Sequence, residues 1–397
     1  MPPEVGAFVP GELFELGGRT EGPLAGLTFA VKDLFDVAGR KTGGGNPSWK
    51  DAHAPAARNA PAVERLLNAG ARAIGKTITD ELAYSIVGKN WHFGTPRNGA
   101  AAERMPGGSS SGSASAVSNN LCDFALGTDS GGSVRVPAAY CGLFGMRPSH
   151  GRIPLEGCMR LNPSYDTCGW FARSSEHLER VGLVLLASQR SAASRPAKLL
   201  VAPEAWAAAD AEVAQALRPL LRRIEAALGS AAETRIFSDQ AEWDAIDQHS
   251  RNLQGFEAWQ TFGEWISRSR PVLGPEIEER FRIASKITPE EAERAREQRA
   301  GFAQRMSQLL TEGCVLCIPT VPTVAAPRDV DPDRLQAVRL KTLKFTCIAG
   351  LARLPQVTIP ARIASGIPCG LSIMARHGDD EALLRLVNET HSERQRP

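Results

Sequence analysis

Two glycine turns and one lysine carry the chemistry this sequence can offer. Asp129-Ser130-Gly131-Gly132-Ser133 sets consecutive amides with little side-chain bulk next to a serine. Glycines let such a turn curl until its N–H groups converge on one point, which is what a developing oxyanion requires. A second serine-bearing turn, Gly107-Gly-Ser-Ser-Ser-Gly-Ser113, lies upstream and puts Ser109 24 residues before Ser133. A serine nucleophile needs a base. Lys32 stands alone as a cation in the apolar run Phe29-Ala-Val-Lys-Asp-Leu-Phe35. Burial there disfavours the ammonium and leaves a neutral amine able to accept a proton. Asp33 would oppose this if it lay close, but adjacent side chains on a strand point to opposite faces. The competing reading of Lys32 is a strand-end lysine whose head group snorkels to water.

The Gly/Ser block admits other readings. A flexible linker has this composition, but a linker does not lead directly into a helix and a strand. A phosphate-binding loop needs a Gly-Lys-Ser/Thr ending, and no lysine follows here. A nucleophile elbow is formally present as Gly108-Ser-Ser110-Ser-Gly112. It would need a late histidine, for which His377 is the candidate.

The elements that would position these residues alternate between helix and strand. A strand-like run spans 24–37. A helix follows from Pro61 to Ala69, with proline in its first turn and Gly70 as its stop. Residues 73–79 read as a strand, 114–121 as a small-residue helix, and Phe124 onward as a short strand entering the second glycine turn. The two turns thus bracket one helix and one strand, so their ends can meet at one sheet edge. From about Ser188 to Glu312 charged helical patterns dominate, at 212–228 and 289–310. Thr288, Pro289 and Glu291 form a capping-box signature. Strands return at 315–320, 356–360 and 370–375, and 381–390 reads as a last helix. This punctuation favours an α/β layout. With no internal repeat and no low-complexity linker, a single domain over 1–397 is expected, carrying 188–312 as a variable helical insertion.

Composition narrows the class. Of 397 residues, 43% are hydrophobic and 46 basic residues nearly balance 44 acidic ones. Disorder and a dedicated nucleic-acid binder are both disfavoured. No apolar run approaches the ~18–20 residues of a membrane span, and the N-terminus lacks a secretory pattern, so a cytoplasmic protein that engages neither membrane nor nucleic acid is expected. The eight cysteines are scattered and read as free core thiols. Cys314-Val-Leu-Cys317 has CxxC spacing without a second ligand pair, and as a strand its two thiols face opposite sides.

The residues from Gly107 to Ala114 and from Ala125 to Ser149 resemble the signature of the amidase signature hydrolases. The resemblance extends to Val31-Lys-Asp-Leu-Phe-Asp-Val37, Asp166-Thr-Cys-Gly-Trp-Phe-Ala-Arg173, Pro319-Thr-Val-Pro322 and Gly366-Ile-Pro-Cys-Gly-Leu-Ser372, and leaves 188–312 unmatched. It implies a large mixed central β-sheet covered by helices on both faces, with catalysis by Ser133 as nucleophile, Ser109 as bridging serine after a cis peptide, and Lys32 as base. It further implies an oxyanion hole from the amides of Ser130, Gly131, Gly132 and Ser133, with Asp129 and Arg135 holding that turn. Ala83 and Ser109 fall at substrate-contact positions. Neither metal nor organic cofactor is needed; the partner is a small-molecule amide, and a homodimer is compatible with this reading. Within the family, residues 45–49, 80–85 and 92–98 look most like the plant-type indole-3-acetamide amidases, which makes a small or aromatic primary amide the expected substrate. Alternatives are a non-catalytic binding module, such as the cap domains of organelle import receptors, and a tRNA-dependent amidotransferase subunit.

Overall fold

Eleven strands form one sheet among the described residues. The computed structural model describes residues 5–17, 19–187 and 195–391, so the expected start of the charged segment at Ser188 lies outside them. In chain order the strands are β1 (Phe8–Leu16), β2 (Thr28–Lys32), β3 (Arg72–Thr77), β4 (Phe124–Asp129), β5 (Phe144–Arg147), β6 (Thr167–Ala172), β7 (Lys198–Val201), β8 (Ala232–Glu233), β9 (Cys314–Pro319), β10 (Gln356–Arg362) and β11 (Pro368–Ala375). Their spatial order is β1-β3-β2-β4-β6-β5-β10-β11-β9-β7-β8. The pairs β2/β3, β2/β4, β7/β9 and β7/β8 are parallel and the others antiparallel, so the sheet is mixed.

Both faces are covered, and the two-residue alternation of each central strand supplies the reason. Phe29, Val31, Phe124, Leu126, Val315 and Cys317 point into one core, which the helices Pro61–Asn68, Ser175–Leu185 and Asp380–His391 close. Ala30 and Ala125 point to the opposite face, where the helix Ser111–Ser118 packs through Ala114 and Val117. Leu316 and Ile318 share that opposite side of β9 with Trp243, Phe302 and Phe345, from three longer helices. Those helices are Gln240–Ser269, Pro289–Leu309 and Pro332–Ala352. The Thr288–Glu291 capping box forms as expected.

The differences from the sequence reading are local. The small-residue helix begins at Ser111, three residues early, and its first turn holds Gly112 against the Ala7 and Ile78 backbone, where a Cβ would come within 2.3 Å of a carbonyl oxygen. A short helix, Arg135–Tyr140, follows the second turn and was not expected. The middle segment is not purely helical, since β7 and β8 extend the sheet at its far edge. No helix among the described residues is long and apolar enough to cross a membrane.

Candidate active site

Lys32 ends β2 and is fully buried. Its Nζ donates to Ser109 Oγ and Thr128 Oγ1, each at 2.8 Å. The snorkelling alternative fails on that burial. Burial lowers the amine to about 7, against the opposing pull of Asp80 and Asp129. Asp33, as expected, turns away: it pairs with buried Lys76 at 2.9 Å and accepts from the Gly43 N–H. The peptide Gly108–Ser109 is cis. The two glycine turns meet, since the Ser110 N–H donates to the Ser133 carbonyl at 3.3 Å. The elbow alternative does not assemble. Ser110 Oγ donates to the Thr128 carbonyl, whereas His377 Nε2 donates to the His150 carbonyl in an exposed turn.

Asp129 organises the second turn from beneath. Its fully buried carboxylate accepts from the N–H groups of Gly132 and Val134, from Arg135 Nε and Nη2, and from Arg147 Nη1, at 2.7–3.1 Å. Burial alone would push this carboxyl up, but the two guanidinium groups outweigh it and hold it well below the usual range. The place expected for Asp129 and Arg135 is therefore the place they occupy. Gly132 differs from expectation. Its N–H is already given to Asp129, and Ser130, Gly131 and Ser133, not Gly132, form the cavity wall. Thr346 Oγ1 donates to the Gly131 carbonyl at 2.6 Å and fixes the turn from above. Replacing Asp129 by asparagine leaves Arg135 and Arg147 buried without their counter-charge. It should cost about 3–5 kcal/mol of stability, read as a lowered denaturation midpoint; an unchanged midpoint would contradict this account of the turn.

A cavity of about 180 Å³ opens above Ser133 and Gly131. Ala83 lies on its wall, as expected, in a segment where Leu82 and Ala83 both hold positive φ (50° and 59°). The three segments that carried the closer resemblance converge behind that wall. Glu81 accepts from Asn46 Nδ2 at 2.6 Å, from His92 Nε2 at 2.9 Å and from the Gly274 N–H at 2.8 Å. Sequence reasoning missed four contributors. Thr128 is Lys32's second partner. Arg147 is Asp129's. Asp166 accepts from Ser130 Oγ at 2.5 Å. Asp80 sits so close over Gly108 that a Cβ there would lie 2.4 Å from its carboxylate. All four lie inside segments that carried the resemblance, 80–85, 125–149 and 166–173, but nothing local in the sequence marked their contacts.

The Lys32 amine lies against the Ser109 hydroxyl, and the backbone bond from Ser110 to Ser133 brings the amide-lined second turn beside them, an arrangement suited to acyl transfer. Comparison with known proteins supports amide hydrolysis. The amidase family model matches residues 12–220 and 229–384. The chain is 39% identical to "Amidase 1" of Arabidopsis thaliana over 97% of each chain. It is 34% identical to "Translocon at the outer membrane of chloroplasts 64" of Pisum sativum, over 91% of this chain and 65% of that one. Among solved structures, one described as "Crystal structure of amidase" superposes with a TM-score of 0.81 at 28% identity, covering 92% of this chain and 84% of that one. The chain belongs to the amidase signature family. It is an amide-hydrolysing enzyme.

The thiols stand apart from this site. All eight cysteines are buried and free, and Cys314 and Cys317 pack into the two opposite cores. Burial pushes Cys122, Cys141 and Cys168 up to about 12, which keeps them as unreactive thiols near neutral pH. Activity should therefore survive iodoacetamide, thiol reductants and EDTA. Loss on chelation, restored by zinc, would refute that expectation.

Proposed function

We propose that Ser133 is the acylated nucleophile, Ser109 the proton relay and Lys32 the base that drives it. The observation that carries this reading is the buried 2.8 Å contact between Lys32 Nζ and Ser109 Oγ beside the turn that bears Ser133. With the amine neutral its lone pair accepts from the Ser109 hydroxyl, so the bond reverses direction. Ser109 then takes the Ser133 proton as Ser133 Oγ attacks the amide carbon. The oxyanion is received by the N–H groups of Gly131 and Ser133, with Ser130 beside them. Losing one such donor typically costs ~10²–10³ in rate. The protonated Lys32 returns its proton through Ser109 to the leaving nitrogen, and the C–N bond breaks. Water enters by the same relay and releases the carboxylate from Ser133.

The substrate is a primary amide with a small or aromatic acyl part, with indole-3-acetamide the best single candidate. The support is the convergence of 45–49 and 92–98 on Glu81, behind the part of 80–85 that lines the cavity. Ammonia needs little room, so selectivity rests on the acyl side. Burying an aromatic side is worth ~1.5–3 kcal/mol, one to two decades in kcat/KM over acetamide. Ammonia release from indole-3-acetamide, phenylacetamide and acetamide tests this. Equal kcat/KM for acetamide would overturn the aromatic preference and leave amide hydrolysis standing.

A further inference from the structure

Part of the wall above Ser133 belongs to a helix that the proton relay does not hold. Arg280, Ile283 and Ala284 of the helix Pro275–Ala284 line the cavity beside Ala83 and Tyr84. That helix meets the segment 81–89 at three places. Midway along it, Arg280 Nη1 donates to the Tyr84 carbonyl at 2.6 Å, and the Phe281 ring lies 4.9 Å from that of Tyr84. Lys89 reaches Glu276 at 3.5 Å, an exposed pair of little weight. The third contact, at the start of the helix, is a buried knot. The Glu81 carboxylate, 1% exposed, takes three donors from three other segments. Its Oε1 accepts from Asn46 Nδ2 and His92 Nε2, and its Oε2 from the N–H of Gly274, the N-cap of the helix. The same Asn46 amide donates to the Val272 carbonyl at 3.0 Å, so the turn entering the helix is held at both 272 and 274. Gly274 is fitted to this approach. A Cβ there would stand 2.7 Å from Trp91 Cβ and 3.0 Å from Glu81 Oε2. On the cavity side, Leu82 and Ala83 hold a left-handed backbone that non-glycine residues keep only when their surroundings impose it. The Leu82 N–H donates to the Gly44 carbonyl at 2.7 Å, and Glu81 anchors the residue before it.

We infer that Glu81 is a positioning residue for acyl selectivity: it fastens the helix Pro275–Ala284 to the wall residues 82–84 and so fixes the width of the acyl cavity without touching substrate. The knot needs a carboxylate. Both oxygens face donors, and an amide in its place would turn an N–H against one of them. The consequence depends on acyl size. An acetamide methyl beside Ser133 leaves most of the wall uncontacted, whereas an aromatic acyl group draws its binding energy from that wall. The assignment rests on the acyl group lying in the cavity above Ser133, as proposed. The same segment also touches the relay, because the Asp80 N–H donates to the Ser109 carbonyl at 3.0 Å. Turnover of acetamide monitors that second route, and turnover of the larger amides monitors the wall.

The test is Glu81→Gln, with ammonia release measured from acetamide, phenylacetamide and indole-3-acetamide. The rise in KM over wild type should grow with acyl size, from less than about twofold for acetamide to roughly tenfold for indole-3-acetamide, with each kcat within about twofold. Every figure is a ratio of variant to wild type for one amide, so the order in which the wild type prefers them does not enter. A wild type that favours acetamide overturns the aromatic preference alone. Gly274→Ala should reproduce the pattern from the helix side. Its φ of −61° suits alanine, and only the space is missing. His92→Gln, whose amide can present an N–H where the imidazole Nε2–H stands, should hold the selectivity better than His92→Ala. An equal loss on all three amides, or a fall in kcat for acetamide, would place the effect on Asp80 and Ser109 and overturn the inference. An unchanged KM for indole-3-acetamide in Glu81→Gln would overturn it too. Should Glu81→Gln fail to fold, the same ratios in Gly274→Ala decide, and size-independent ratios there refute the assignment.

Discussion

Ser133→Ala is expected to lower kcat for any amide substrate by about four to six orders of magnitude, the scale on which nucleophile removal acts in a serine relay. Its fold should be unchanged. Alanine deletes one hydroxyl at the cavity wall, and the backbone bond from Ser110 N–H to the Ser133 carbonyl remains. Substrate binding should persist, since the wall from 83 to 86 is untouched. Ser110→Ala provides the contrast. That hydroxyl is tied to the Thr128 backbone, so its loss should cost stability more than chemistry. An active Ser133→Ala beside an inactive Ser110→Ala would reverse the assignment.

Lys32→Met should be nearly as damaging, by about 10²–10⁴ in kcat at neutral pH, because it removes the proton acceptor and leaves Ser109 without a partner of suitable basicity. The wild-type rate should rise with pH through the value near 7 to which burial lowers this amine. Two units below it, only ~1% of the enzyme holds a neutral lysine, so the rate at pH 5 should fall about a hundredfold. Stability carries the matching signature. The unfolded chain keeps a proton on this lysine up to its ordinary value of 10.5, whereas the folded chain releases it near 7. Between those values the unfolded state binds more protons, so this group's contribution to stability rises with pH. Below both values the penalty for burying the amine is largest. Lys32→Met should lose that rise, seen as a wild-type-minus-variant difference in unfolding free energy that changes between pH 7 and 10. A flat rate profile down to pH 5 with chemistry rate-limiting, or a pH-independent difference in stability, would make Lys32 structural only.

What the sequence disclosed about this site followed from local contrast. Lys32 was legible as a single cation in an apolar run, and the two turns as glycine next to serine. The strands that present them were legible as apolar blocks ended by polar or glycine residues. The helix 135–140 was hidden because Val134, Val136 and Pro137 are poor helix formers, although proline in a first turn removes an N–H that has no partner there anyway. Strands β7 and β8 were hidden because 4 and 2 residues between charged helices carry no readable period. Asp80, Thr128 and Arg147 act through contacts that only the assembled sheet creates. Arg251, Arg280 and Arg339 lie far apart in the sequence and meet only on the cavity wall. Gly132 shows the opposite limit, since a motif lists four equivalent amides and cannot say that one is claimed by Asp129.

The most direct test of the relay is the covalent intermediate itself. Acid quenching during turnover of a primary amide, followed by proteolysis and peptide mass mapping, reads which residue carries the acyl group. The mechanism requires an added acyl mass on Ser133, absent from Ser133→Ala and diminished in Lys32→Met. An acyl group found on Ser109 or Ser110 instead, with Ser133 unmodified, would contradict it.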